Sequence, residues 1–228
     1  MTAMATKRDD EIGTGALPRW SATVYWFLVV EVMLVLTSAP GLVLLQLLER
    51  DASNVPLVAL ACVPFAPSVA AALFAWRVFA RDRDLSPARY FWRGYRLDVL
   101  DVLRWWVPTL AVLAVIGINL AHLGAAGLPS ALGVALGAVV LLLVIWSGHA
   151  LALSALFSFR TRDVARLGAY FLAAKPLVSL GIASVLVLTV AAAFVTDWLL
   201  VLLAAPLTYL YARTVVPVVT AAEAQFTA

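Results

Sequence analysis

Few residues in this chain have the chemistry to do more than pack. Glu31 lies inside one long apolar run, twelve positions after Arg19, and His149 inside another, eleven positions before Arg160. A charge at the middle of a membrane helix costs roughly 2.5–3.5 kcal/mol on insertion scales, so it needs a partner, a cavity or neutralisation. At 1.5 Å per residue both groups lie roughly 15–18 Å from those arginines, at matching depth. This predicts that Glu31 and His149 face each other as a hydrogen-bonded or protonatable pair; the alternative is that each packs separately. Asn119 and His122, about one turn apart, either line an outer cavity or bond between helices. Cys62 is the single cysteine and has no intrachain disulfide partner. There is no metal-spaced Cys/His set, no Gly-rich phosphate loop, and no nucleophile, base and orienter together. No catalytic residue, metal or cofactor is therefore expected, and an enzyme is the least favoured class.

The elements that must position these groups are membrane helices. The chain has 228 residues, 64% hydrophobic and 13% charged, with mean hydropathy +0.99. So few polar groups cannot cover a lone water-soluble globule, and disorder is excluded for the same reason. About 20 apolar residues cross a hydrocarbon core of roughly 30 Å. Six runs qualify: 22–48, 55–80, 105–128, 131–159, 176–195 and 198–219. They are continuous rather than alternating, which reads as helices and not as a barrel. The expected fold is an all-α polytopic membrane helix bundle. It forms one transmembrane domain over 21–220, between a flexible cytoplasmic tail at 1–20 and a short tail at 221–228. Pro56, Pro64 and Pro67 fall close together, so 55–67 is expected to be partly irregular or re-entrant.

With the N-terminus inside, fifteen of the sixteen basic residues fall in inner segments and only Arg50 falls outside. This positive-inside bias predicts a multi-pass protein of the cell membrane with both termini cytoplasmic. Arginine outnumbers lysine fourteen to two, which fits a GC-rich bacterial source. The first run is longer than a signal-peptide core and no small-x-small site follows it, so it reads as an uncleaved span.

The inner stretch 84–104 is the most patterned. Ser86-Pro87 reads as a helix start. Ala88, Phe91, Trp92, Tyr95, Val99, Val102, Leu103 and Trp106 then form one stripe, opposed by Arg89, Arg93, Arg96 and Arg104. This predicts an interfacial amphipathic helix with aromatics in lipid and guanidinium groups toward the anionic inner leaflet. A weaker one follows, with Val164, Leu167 and Phe171 opposing Arg162, Arg166 and Tyr170. The candidate surface is Arg89, Phe91, Trp92, Arg93, Tyr95 and Arg96. It serves either a partner, such as a transporter subunit or a second copy, or the bilayer alone. Nucleic acid is not expected, because topology already explains the charge.

Two run ends echo each other: Ala72-Leu73-Phe74-Ala75-Trp76-Arg77 and Ala155-Leu156-Phe157-Ser158-Phe159-Arg160. Each precedes a Tyr-Phe pair, Tyr90-Phe91 or Tyr170-Phe171, which suggests a parallel repeat of two hairpins. Three segments resemble the YesL-like family, a bacterial domain of unknown function, over about residues 22–215. They are Phe65-Ala66-Pro67-Ser68-Val69-Ala70-Ala71-Ala72-Leu73, Tyr90-Phe91-Trp92-Arg93-Gly94-Tyr95-Arg96 and Ala155-Leu156-Phe157-Ser158-Phe159. The stretch 41–63 is longer than that family's pattern between its first two spans. The resemblance implies a small integral membrane protein encoded beside sugar-uptake transporters and glycoside-degrading enzymes, and supplies no catalytic residue. The expected function is non-enzymatic: assisting or regulating a carbohydrate uptake system. The alternative is a small-solute transporter or channel built on Glu31 and His149, which requires a polar cavity at mid-membrane depth.

Overall fold

The computed structural model describes residues 16–49, 51–81 and 86–226, and all the regular elements among them are helical. The roles expected for Lys7, Arg8, Arg50 and Arg83 lie outside the described residues. The helices are α1 (Ala16–Leu47), α2 (Val55–Ala61), α3 (Phe65–Arg81), α4 (Pro87–His122) and α5 (Ser130–Leu156). They continue with α6 (Thr161–Ala174), α7 (Pro176–Val195), α8 (Asp197–Thr214) and α9 (Val216–Phe226). A backbone in hydrocarbon must satisfy its own N–H and C=O groups, and a helix does so within one segment. Five stretches are long and apolar enough to cross a membrane, and α8 with α9 makes a sixth. The fold is a multi-pass membrane helix bundle.

Residues 55–67 are partly irregular, as expected, whereas several other boundaries differ from expectation for identifiable reasons. α2 ends in the turn Cys62–Pro64 and α3 follows, the whole stretch Ala52–Arg81 counting as one crossing. The first amphipathic connector is not a separate helix. It runs without a break into the third span, because nothing between Leu103 and Trp105 interrupts the backbone. Ser86 holds the N-cap position and Pro87 follows it, but the Ser86 side chain makes no capping bond. At 36 residues α4 is about 54 Å long against a core of roughly 30 Å. The second connector, α6, does stand alone. The last span is broken at Val215 with a bend of 43°. Pro217 explains the break: it donates no N–H and suits the first turn of a new helix, α9. The segment expected as a tail from 221 is thus helical to Phe226, with Val218 and Ala222 fully buried. Thr196 is the N-cap of α8.

Alternating helix directions place Arg77, Arg81, the start of α4, α6, Lys175 and Arg213 at one basic end. α3 is the central post, packing on α1, α4, α5 and α8. Its Ala66, Ala70, Ala71, Ala72 and Ala75 are buried, and small side chains let neighbouring helices come close. Nearer the basic end Trp26, Trp76, Phe79 and Phe91 fill the space these alanines leave, with Trp26 and Phe79 ring centroids 5.1 Å apart.

Candidate functional site

The anticipated Glu31–His149 pair does not form. Glu31 Oε2 accepts the Ala205 N–H at 2.8 Å, from the residue just before Pro206. A proline inside a helix removes one ladder bond and crowds the carbonyl four residues back. The bond that Pro206 lacks is the one to the Leu202 carbonyl; Glu31 instead takes the N–H next to the proline and so ties α1 to α8. The other carboxyl oxygen, Oε1, is buried with no hydrogen-bond partner among the described residues. His149 is fully buried on α5, and its Nε2 meets Ser179 Oγ of α7 at 2.9 Å. Ser179 Oγ in turn donates to the Leu172 carbonyl at 3.1 Å, so the imidazole braces the α6–α7 corner. His149 Nδ1 has no partner among the described residues. Asn119 belongs to neither group. It is exposed on α4 and donates to the Val115 carbonyl of its own helix at 2.8 Å, while His122 is likewise exposed and meets Ile118 O at 2.9 Å. The two groups point to different helices, and each serves a different helix contact.

At the basic end the candidate surface divides. Phe91 is not on it: the ring is 0% exposed, inside the aromatic cluster with Trp26 and Phe79. The buried face of α4 runs through Pro87, Phe91, Gly94, Val102 and Trp105, about one residue out of register with the expected stripe. Gly94 sets this register. A Cβ added there would stand 2.8 Å from Phe74 Cβ, so only glycine lets α4 lie so close to α3. Turned outward are Arg89, Arg93, Arg96 and Trp92, the last 41% exposed, with Tyr95 half-buried beside them. Trp92 stacks on Tyr95 at 5.6 Å, and the Arg96 guanidinium lies over the Trp92 ring at 5.1 Å. A stacked cation of this kind is pre-ordered, which lowers the entropy lost when it meets an anion.

Arg77, which the sequence singled out only as an echo of Arg160, is a structural junction. Its Nη1 donates to the Leu156 carbonyl at the end of α5 at 2.9 Å, and its Nη2 pairs with Glu223 on α9. The guanidinium carbon sits 5.8 Å from the centre of the Phe157 ring. The two echoed run ends therefore meet, but they are not alike: α3 stays helical through Arg81, whereas the chain turns extended at Phe157. At the opposite end Asp51 accepts the Ser53 N–H at 2.8 Å, and hydrogen bonds from the Ser53 hydroxyl and backbone hold its carboxyl below the usual range.

Between these ends lies a cavity of about 350 Å³, walled by α1, α3, α4, α5, α7 and α8. No charged side chain lines it, and neither Glu31 nor His149 reaches it. Apart from Ser38 on α1, its few hydroxyls are engaged. Ser147 donates to Leu143 O at 2.7 Å, Thr189 to Val185 O at 2.8 Å, and Tyr211 to Gly148 O. The polar mid-membrane cavity that a solute path would require is instead apolar. Among the described residues no cluster of His, Cys, Asp and Glu is arranged to hold a metal ion. Comparisons with protein-family models, curated proteins and solved structures return no match.

Proposed function

We propose that this chain is a non-enzymatic protein of a bacterial cell membrane that acts by engaging a partner, as an accessory or regulator of a carbohydrate uptake system. The observation that carries this reading is the outward face of α4, where Arg89, Arg93 and the stacked Trp92/Arg96 pair stand on a rigid helix longer than the bilayer is thick. We read the basic end as cytoplasmic, following the positive-inside rule. The resemblance of residues 65–73, 90–96 and 155–159 to YesL-like proteins supports the carbohydrate connection and the membrane subunit of a transporter as partner. A conducting path through Glu31 and His149 is the weaker reading, since the two groups bond to different helices and the cavity between the spans is apolar.

The test is co-expression with the membrane subunits of a bacterial carbohydrate uptake system, followed by purification in mild detergent. Wild type should carry the transporter subunit with it. The triple variant Arg89→Glu, Arg93→Glu, Arg96→Glu should insert normally and lose at least tenfold of that subunit. Isolation of the wild-type chain alone would overturn the proposal. So would full retention of the subunit by the triple variant. Binding that is instead recovered on vesicles containing anionic lipid, with no protein partner, would assign the surface to the bilayer.

A further inference from the structure

The central cavity is too large and too apolar to be a packing defect. Membrane-protein interiors, like other protein interiors, are close-packed and leave few voids larger than a water molecule. This one is about 350 Å³ and draws its walls from six helices. Water is a poor occupant, because a buried water needs two to four polar partners. The hydroxyls of Ser147, Thr189 and Tyr211 are spent on backbone carbonyls, and Thr208 donates to Ala205 O at 3.0 Å while accepting the Trp76 indole N–H. The two wall indoles are spent too: Trp105 donates to Ser154 Oγ and Trp106 to the Cys62 carbonyl, each at 3.0 Å. Among the described residues, sugars and ions would find no charge and, beyond the single Ser38 hydroxyl, only groups already bonded within the protein.

We infer that the cavity is a binding site for a single hydrocarbon chain of a membrane amphiphile, whose head stays outside it. Size agrees: an apolar cavity of about 150 Å³ takes up benzene, so about 350 Å³ accommodates roughly fourteen carbons on the same scale. The surroundings supply the route. α5 and α7 touch where Gly148 meets Ile182, the contact being so close that a Cβ at Gly148 would stand 2.6 Å from the isoleucine. Beyond that point, away from the basic end, residues 130–146 of α5 contain no buried position. Across from them α7 exposes Val187, Leu188 and Val190. Val144, Leu186 and Thr189 line the cavity at this level. A chain therefore enters sideways from the bilayer, between α5 and α7, with no polar barrier to cross. The occupant is defined by its chain, so an acyl lipid and an isoprenoid lipid share the required chemistry.

The test uses the full protein in vesicles of phosphatidylcholine containing a trace of phosphatidylcholine with a mid-chain diazirine. Photolysis and peptide mapping should place label on wall residues of α7 and α8. Val201→Trp, which fills the cavity from α8, should reduce that label at least tenfold. Leu202→Trp, the adjacent position but 71% exposed, should leave it within twofold. Leu186→Trp fills the cavity from α7 and serves if Val201→Trp is not monodisperse. Replacing part of the vesicle phosphatidylcholine with a polyprenyl phosphate names the source: loss of wall label assigns an isoprenoid chain, and retention of it an acyl chain. Label confined to outward residues such as Leu202 and Phe194 would overturn the inference. It would also fall if wall label survived the filling variant.

Discussion

Removing Arg77 should do more harm than removing the glutamate it pairs with, and the structure says by how much. Arg77 makes two kinds of contact: a charged donor to the Leu156 carbonyl at 2.9 Å, and a half-exposed ion pair with Glu223. Hydrogen bonds to charged groups contribute about 1.5–3 kcal/mol. The pair is worth less, about 1 kcal/mol, because Glu223 is 39% exposed and solvent screens it. Arg77→Ala should therefore cost about 2.5–4 kcal/mol, and Glu223→Ala about 1 kcal/mol. In a double-mutant cycle the two should couple by about 1 kcal/mol, leaving the larger share of the arginine effect to the α5 carbonyl. Detergent-mediated unfolding followed by circular dichroism measures all four corners. High salt should shrink the coupling and spare the remainder. Equal losses for the two single variants would refute the assignment. A coupling indistinguishable from zero would refute the ion pair alone.

Glu31→Gln keeps an acceptor for the Ala205 N–H and should cost less than 1 kcal/mol, whereas Glu31→Leu strands that amide and should cost about 1–3 kcal/mol, read in the same unfolding assay. A larger loss for glutamine than for leucine would remove the Glu31–Ala205 bond from the contacts that hold α1 on α8. Gly94→Ala should destabilise by about 1–3 kcal/mol through its collision with Phe74. Gly137→Ala, where an added Cβ meets nothing within 4 Å, should be neutral or gain up to about 1 kcal/mol from helix propensity. Melting temperatures of the two alanine variants that moved together would contradict this packing of α4 on α3.

Much of the fold was legible because hydrocarbon leaves the backbone few choices. The fifth span, 176–195, is found at its expected bounds: Pro176 starts it and the apolar run simply ends. The failures share a cause, which is that depth is written in spacing but rotation about the helix axis is not. Glu31 and His149 were expected to meet, yet one bonds to α8 and the other to α7. The stripe on α4 was misjudged because a count of apolar side chains passes over Gly94, whose lack of a side chain is what brings α3 close. Hydropathy drew a border at Trp105 where the backbone has none. The Arg77–Glu223 junction was hidden by treating the last residues as a tail. Pro217, at the second position of a new helix, was the available signal that the chain bends there and continues.

One piece of α4 bears the arginines near its start, and Trp105 and Trp106 farther along. With no joint between them, the two regions form a single connecting rod. A force that tilts the rod at Arg93 must displace the two indoles as well, and bulk lodged against those indoles must press back on the arginines. If the arginines grip a partner and a chain fills the cavity, the continuous helix is what would link the two events.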